Sequence, residues 1–272
     1  QPHHPRAAEA TTKYFIVQAA AAALILFAST TNAWITGQWS INFEMHIFSS
    51  TMITMALALK MGLAPVHFWL PEVLQGLDLT TGLILSTWQK LAPFVIMCQI
   101  MPANPSLITL IGMLSTLMGG WGGLNQTQLR KILAYSSIAH FGWMIMIMQF
   151  NQNLATLTLM VYIPLTFSTF IILKTNNATT INKLAASWSK VPVLAAVAPM
   201  VLLSLAGLPP FSGFMPKWMI LKELTNQDLP LTASMMALSA LISLYFYLRL
   251  SYAITLTISP NNITATTPWR LD

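Results

Sequence analysis

Charge is what this sequence most conspicuously lacks. Only 7% of its 272 residues are Asp, Glu, Lys or Arg, whereas an ordinary soluble domain carries about 25%. So few charges cannot build a water-facing surface, which excludes a soluble globular fold. The lone cysteine, Cys98, excludes an internal disulfide and an iron–sulfur cluster, which needs several thiolates. No His or Cys pair has ligand spacing except His3-His4, so no metal site is expected. The run Gly119-Gly120-Trp121-Gly122-Gly123 lacks the Lys-Ser/Thr of a phosphate loop and the spacing of a dinucleotide fingerprint. Its glycines are read as permitting close helix packing. No nucleotide, flavin or haem motif occurs elsewhere. There is no initiator Met, signal-peptide layout or targeting signal. Gln1 to Pro5 reads as mid-loop and Asp272 follows a polar stretch, so both ends are expected to be truncations.

What the chain has in abundance is apolar sequence, 55% by residue with a mean hydropathy of +0.63. It comes in long runs separated by short polar segments, the pattern of a polytopic all-α membrane protein. Eight transmembrane spans are predicted, at about 8–31, 48–77, 79–101, 105–123, 131–149, 153–174, 191–225 and 230–258. Alternating loops then place Arg6, Lys13, Arg130, Lys131, Lys174, Lys183, Lys190 and Arg270 on one side, called X. Side Y holds Lys222 alone, near Glu223, Asp228 and Glu44, while Arg249 is expected to snorkel toward X. The positive-inside rule makes X the cytoplasmic or matrix side. The basic residues (pI near 9.6) are thus topology signals scattered through loops, without the aromatic-interleaved patch of a nucleic-acid binder. The sequons at Asn125, Asn177 and Asn262 all fall on side X and read as chance matches.

Two spans are too long for one straight crossing, and they share a motif. Gly62-Leu63-Ala64-Pro65 is followed by Pro71, and Gly207-Leu208-Pro209-Pro210 by Pro216, so each GLxP has a proline six residues on. Paired prolines predict broken helices whose freed backbone groups face protein or water. Broken helices at corresponding positions in two halves point to an ion pathway in an inverted-repeat transporter. Packed kinks are the alternative, and the nearby lysines argue against it. Lys60 and Lys90 lie near span centres, where a lysine costs about 2.5–3.5 kcal/mol on insertion scales. Lys217 lies just after the second break. Gly82, Ser86, Gln89, Lys90 and Pro93 are expected on one helical stripe, the wall of a hydrated interior. A buried lysine, with a free pKa of about 10.4 lowered by burial, suits proton work near pH 7. The alternative is a lysine held permanently by one carboxylate. His67, at the first break, and His140, four residues after Ser136, are secondary relay candidates; a hydrogen-bonded core histidine is an equal reading for His67 and the lesser one for His140. Glu72 is read as structural or as a lysine partner, and as a further relay candidate.

The strings ALALKMGLAPVHFWLPEV, STWQKLAP, GGWGGLNQTQLRKILAYSSIAHFGWM and LSLAGLPPFSGFMPKW cover most of the chain in order. By them the chain resembles the antiporter-like membrane subunits of mitochondrial NADH:ubiquinone oxidoreductase, respiratory complex I, most closely their vertebrate forms. Those subunits in turn resemble Mrp-type cation/proton antiporters. The resemblance implies an antiporter-like architecture of two inverted five-helix repeats, here about 8–149 and 150–258 and incomplete at both ends. It implies proton translocation coupled to electron transfer from NADH to ubiquinone. Lys60 would be the lysine of the first broken helix, Lys90 the link between half-channels and Lys217 the lysine of the second broken helix. A glutamate pairing with Lys60 would lie on a helix before Gln1, and a closing C-terminal helix would follow Asp272. No cofactor is expected in this chain; NADH, flavin, iron–sulfur clusters and ubiquinone would lie in or between other subunits. The implied partners are the other complex I membrane subunits and the lipid bilayer, with no nucleic acid. The implied location is the mitochondrial inner membrane, multi-pass, with the N-terminal loop on the matrix side. The readings weighed against this are a stand-alone cation/proton antiporter and a structural subunit with inert buried charges.

Overall fold

The computed structural model describes residues 5–39, 45–100, 104–189 and 191–257. The sequence readings at His3, His4, Glu44, Lys190, Asn262 and Arg270 lie outside the described residues. Among those described, the chain forms twelve α-helices in order: α1 Pro5–Thr36, α2 Ile47–Met61, α3 Trp69–Gly76, α4 Leu79–Ser86, α5 Trp88–Gln99, α6 Pro105–Gly123, α7 Leu129–Met148, α8 Gln152–Thr175, α9 Ile181–Ala185, α10 Pro192–Ala206, α11 Phe214–Asn226 and α12 Pro230–Thr255. The all-α class follows. Helices α1, α6, α7, α8 and α12 are long and apolar enough to cross a membrane unbroken. The remaining crossings are the head-to-tail pairs α2–α3, α4–α5 and α10–α11, which gives the eight expected spans.

Helix ends follow local chemistry. Proline opens α6, α10 and α12, where its fixed φ fits and its missing N–H would have had no partner. Asn151 caps α8 by accepting from the amides of Asn153 and Leu154. Helix α7 is the hub: its apolar residues are buried nearly all round, with α6, α8, α3, α11 and α12 against it. By contrast α1 shows Phe15, Ile16, Phe27 and Trp34 on its surface, as a helix facing lipid or neighbouring protein does.

The Gly-rich run brings α6 onto α7 at backbone distance. A Cβ on Gly119 would lie 2.7 Å from the Ala139 amide nitrogen and 2.9 Å from the Tyr135 carbonyl oxygen. Gly122 makes room for the Tyr135 ring, and Gly123 for Phe246 of α12.

The loops assigned to side X meet at one end of the bundle. Leu129 N–H donates to Thr179 O and Ile181 N–H to Thr127 O, joining the 124–130 and 175–190 loops. The Arg130 guanidinium donates to the carbonyls of Gln75 and Leu77, and Arg249 to that of Leu124 at 2.9 Å. Basic residues therefore close the loops they were expected to flank. At the opposite end, Gln152 Nε2 donates to Cys98 O at 2.8 Å.

One span departs from expectation. The 79–101 segment is cut at Thr87 (φ −114°, ψ −70°), so Lys90 is the third residue of α5 rather than the middle of a helix. The Thr87 amide and hydroxyl both bond to Leu83 O. Of the face expected to be continuous, Gly82, Ser86, Lys90 and Pro93 are buried, while Gln89 is exposed.

Gly119→Ala is expected to lower stability by about 1–3 kcal/mol, because the intruding methyl meets backbone. Gly120→Ala, whose added Cβ meets the Ile242 side chain at 3.2 Å and the Ser239 carbonyl oxygen only at an ordinary contact of 3.5 Å, should cost less. The thermal unfolding midpoint of the purified protein checks both. An unshifted midpoint for Gly119→Ala would contradict this α6–α7 contact.

Candidate functional site

The two broken helices are built alike, residue for residue. In each, seven residues (62–68 and 207–213) separate the half-helices. Gly62 (φ +75°) and Gly207 (φ +80°) take the left-handed conformation that closes a helix C-terminus. In the first break Gly62 N–H donates to Leu59 O and Leu63 N–H to Ala58 O. In the second, Gly207 N–H donates to Ser204 O and Leu208 N–H to Leu203 O. Both are Schellman closures, and the peptides Ala64–Pro65 and Pro209–Pro210 are both cis. Pro71 and Pro216 are each the third residue of the following half-helix, where an amide has no intrahelical acceptor and proline is tolerated. It is the glycine, not the later proline, that ends the first half-helix in both cases.

The breaks differ in which further donors reach their backbone carbonyls. In the first, Trp69 Nε1 donates to Leu59 O at 3.1 Å and the Gln18 amide to Lys60 O at 3.4 Å. The Ala64 amide within the break donates to Ser115 Oγ at 3.1 Å. All three interactions are between neutral groups. In the second, the Lys217 ammonium reaches back across the gap to Ala206 O, the last carbonyl of α10, at 2.8 Å. That carbonyl lies at the negative end of the helix dipole, where a cation is favoured. Gly207 gives the lysine its path, since a Cβ there would lie 2.9 Å from Lys217 Cδ. Gly213 allows the two halves to close, since its Cβ would overlap Ser204 O. The register also shows what motif spacing alone left unread. Lys217 follows Pro216 as Glu72 follows Pro71, so the second break carries a cation where the first carries a carboxylate.

Lys90, Lys217 and His140 come together around α7. Lys90 is 2% exposed; its ammonium donates to Ser137 Oγ at 3.1 Å and lies 4.4 Å from the centre of the Phe141 ring. Lys217 is half-buried, with its ammonium 6.0 Å from the Trp143 ring centre. His140 interacts electrostatically with both lysines, more strongly with Lys217. A cavity of about 30 Å³ is lined by His140, Lys217, Trp143 and Tyr162, and one of about 10 Å³ by Ser136, His140, Lys217 and Tyr247. A water needs about 10–15 Å³ on this measure, so the first has room for one or two and the second for about one.

The other candidates stand apart. Lys60, in the last turn of α2, is half-buried, and its ammonium makes no ion pair among the described residues. His67 lies within the first break, 2% exposed, its ring 4.3 Å from that of Phe68 and tilted 30° to it, and edge-on to Tyr135 at 6.4 Å, with Nδ1 unpaired. Glu72 does pair with a lysine, namely Lys13 of α1, at 2.7 Å, which also holds Glu9 at 2.6 Å. The three line an open polar pocket of about 290 Å³ at the X end, with Arg6 and Lys131. No ion pair joins a carboxylate to Lys60, Lys90 or Lys217 among the described residues.

Ser115, Ser137, Tyr162 and Tyr247 were missed by sequence reasoning. Hydroxyl residues on apolar helices are common, and only long-range packing distinguishes these.

Residues 2–243 match the family described as NADH:quinone oxidoreductase/Mrp antiporter, transmembrane. Residues 244–272 match the NADH dehydrogenase subunit 2 C-terminus. The chain is 80% identical over 271 residues to NADH-ubiquinone oxidoreductase chain 2 of Gadus morhua, covering all of this chain and 78% of that one. It is 68% identical to the same chain of Tetraodon nigroviridis, covering 99% and 78%. Among solved structures, a chain of respiratory complex I from Thermus thermophilus superposes with a TM-score of 0.87 at 28% identity. This chain spans 61% of that chain's length, with 93% of its own residues covered. A chain of the Mrp complex from Dietzia sp. shares the fold at a TM-score of 0.77 and 17% identity, covering 90% of this chain and 50% of that one.

Ser115→Ala removes the acceptor of a buried amide in the first break, a loss of about 1–3 kcal/mol. Ser106→Ala, on the same helix, gives up no long-range bond and should be near neutral. Thermal unfolding of the purified protein compares the two, and equal midpoints would contradict the role given to Ser115.

Proposed function

Because the chain belongs to the NADH:quinone oxidoreductase/Mrp antiporter transmembrane family, we propose that it is a core membrane subunit of respiratory complex I that takes part in proton translocation coupled to electron transfer from NADH to ubiquinone. Its relatives carry that oxidoreductase name. The redox chemistry, with NADH, flavin, iron–sulfur clusters and ubiquinone, belongs to other subunits. This chain's part is to hold and move protons. Its site is the mitochondrial inner membrane, its partners are the other membrane subunits, and side X, with its basic loops, faces the matrix.

The observation that carries this reading is the company the central lysines keep. Lys90 is held by a serine hydroxyl and an aromatic face, and Lys217 by a backbone carbonyl. A lysine locked to a carboxylate would strand a buried anion on losing its proton, at a cost of several kcal/mol. Here the partners are neutral, so a proton can leave without stranding one. Serine also serves both forms of the side chain, because a hydroxyl donates as well as accepts. That distinguishes a translocating lysine from an inert charge.

In this reading residues 8–149 and 150–258 form the two inverted repeats. The chain passes through the first break from Y to X and through the second from X to Y. Lys60 and Lys217 are the working lysines of the two broken helices, Lys90 is the link between them, and His140 lies between Lys90 and Lys217. His67 and Glu72 serve the first repeat as secondary relays, with Glu72 in the charged pocket at the X end.

Lys60→Met, Lys90→Met and Lys217→Met, each in the intact complex reconstituted in vesicles, should lower the number of protons moved per electron. A wild-type ratio in all three would contradict the role. Sodium-dependent proton flux by the full-length chain alone would instead favour an antiporter that works outside any complex.

A further inference from the structure

Helix α7 presents two adjacent buried serines, and their hydrogen bonds can be counted. Ser136 Oγ donates to Leu133 O and Ser137 Oγ to Ala134 O, each at 2.8 Å. Each hydroxyl has one proton to give and two lone pairs to offer. One lone pair of Ser137 takes the Lys90 ammonium at 3.1 Å. The Tyr162 hydroxyl lies beside Ser137 and the Tyr247 hydroxyl beside Ser136. Both tyrosines are almost fully buried, and neither hydroxyl completes a well-formed hydrogen bond. A buried polar group left unpaired costs about 1–3 kcal/mol, so such groups call for a reason or a water.

The position of Tyr162 supplies a reason. Its hydroxyl is at the Lys90–Ser137 pair, while its ring lies 5.3 Å from that of His140 and helps line the 30 Å³ cavity that holds Lys217. Tyr162 therefore spans the gap between two lysines that no direct contact joins.

We propose that the Tyr162 hydroxyl, together with Ser137, carries protons between Lys90 and the cavity of His140 and Lys217. This rests on the translocation reading above and names the hydroxyls that complete it. For one transfer, the Ser137 hydroxyl first turns from the Ala134 carbonyl toward Tyr162. The Lys90 ammonium gives a proton to Ser137 Oγ, which passes its own proton to the Tyr162 oxygen. The phenol proton then goes, through one or two cavity waters or His140, to the neutral amine of Lys217. Lys90 ends as an amine and Lys217 as an ammonium. The hydroxyls keep their proton count and reset by rotation.

The test uses Tyr162→Phe, which deletes one oxygen and keeps the ring, and Ser137→Ala, both in the full-length chain within the assembled complex in vesicles. Lys90→Met runs alongside. Protons moved per electron should fall about twofold or more in Tyr162→Phe and Ser137→Ala, and the fall should come with a changed solvent deuterium isotope effect on pumping. A tyrosine or serine that only packs would move neither readout. A wild-type ratio in both hydroxyl variants with a lowered ratio in Lys90→Met would overturn the Tyr162 relay and leave the lysine reading standing. Wild-type ratios in all three would overturn both. If Tyr162→Phe fails to assemble, Ser137→Ala decides in the same terms.

Discussion

A helix cut inside a bilayer exposes amides and carbonyls that lipid cannot satisfy, and the interior of this protein is arranged around meeting that demand. Each of the two proline-bearing breaks begins with a glycine in the left-handed conformation, which folds the chain back so that its own amides close two carbonyls. Further donors come from elsewhere. At the first break tryptophan and glutamine supply them; at the second a lysine does. The same requirement that stabilises the second break thereby fixes the Lys217 ammonium against a helix end, beside two small cavities.

The second consequence is electrostatic. A cation inside a membrane is ordinarily expected to find a counter-ion. The described ion pairs instead gather at the X end, where Lys13 binds Glu9 and Glu72. The central lysines are held by dipoles: a hydroxyl, a carbonyl and aromatic faces. On the proposed reading, keeping the described ion pairs away from the interior lysines leaves those lysines free to change protonation. Fixed ion pairs stabilise the rim, where no change is required.

Much of this was legible in the sequence, for identifiable reasons. The breaks could be read because Gly-Leu-x-Pro combines a left-handed residue with proline, and a helix inside an apolar run tolerates neither quietly. The side-X loops could be read because lysine and arginine are so scarce that their placement stands out. The cut at Thr87 could not, because neither glycine nor proline sits there and Pro93 lies six residues on. Of the face drawn across that cut, Gly82, Ser86, Lys90 and Pro93 are buried and Gln89 alone is exposed. Glu72 as the counterpart of Lys217 was present in the aligned motifs, but it needed the shared break geometry to be seen. Ser137 and Tyr162 were beyond sequence reasoning altogether: 25 residues separate them, and only the packing of α8 on α7 brings their hydroxyls together.

The proposed translocation turns on whether protons have a path between the central lysines. A map of the intact complex that resolves ordered water measures this most directly. It should show water in the cavity of His140, Lys217 and Tyr162, hydrogen-bonded onward through Tyr162 and Ser137 to Lys90. A dry, apolar gap between Tyr162 and Lys217 in every state of the working complex would contradict it.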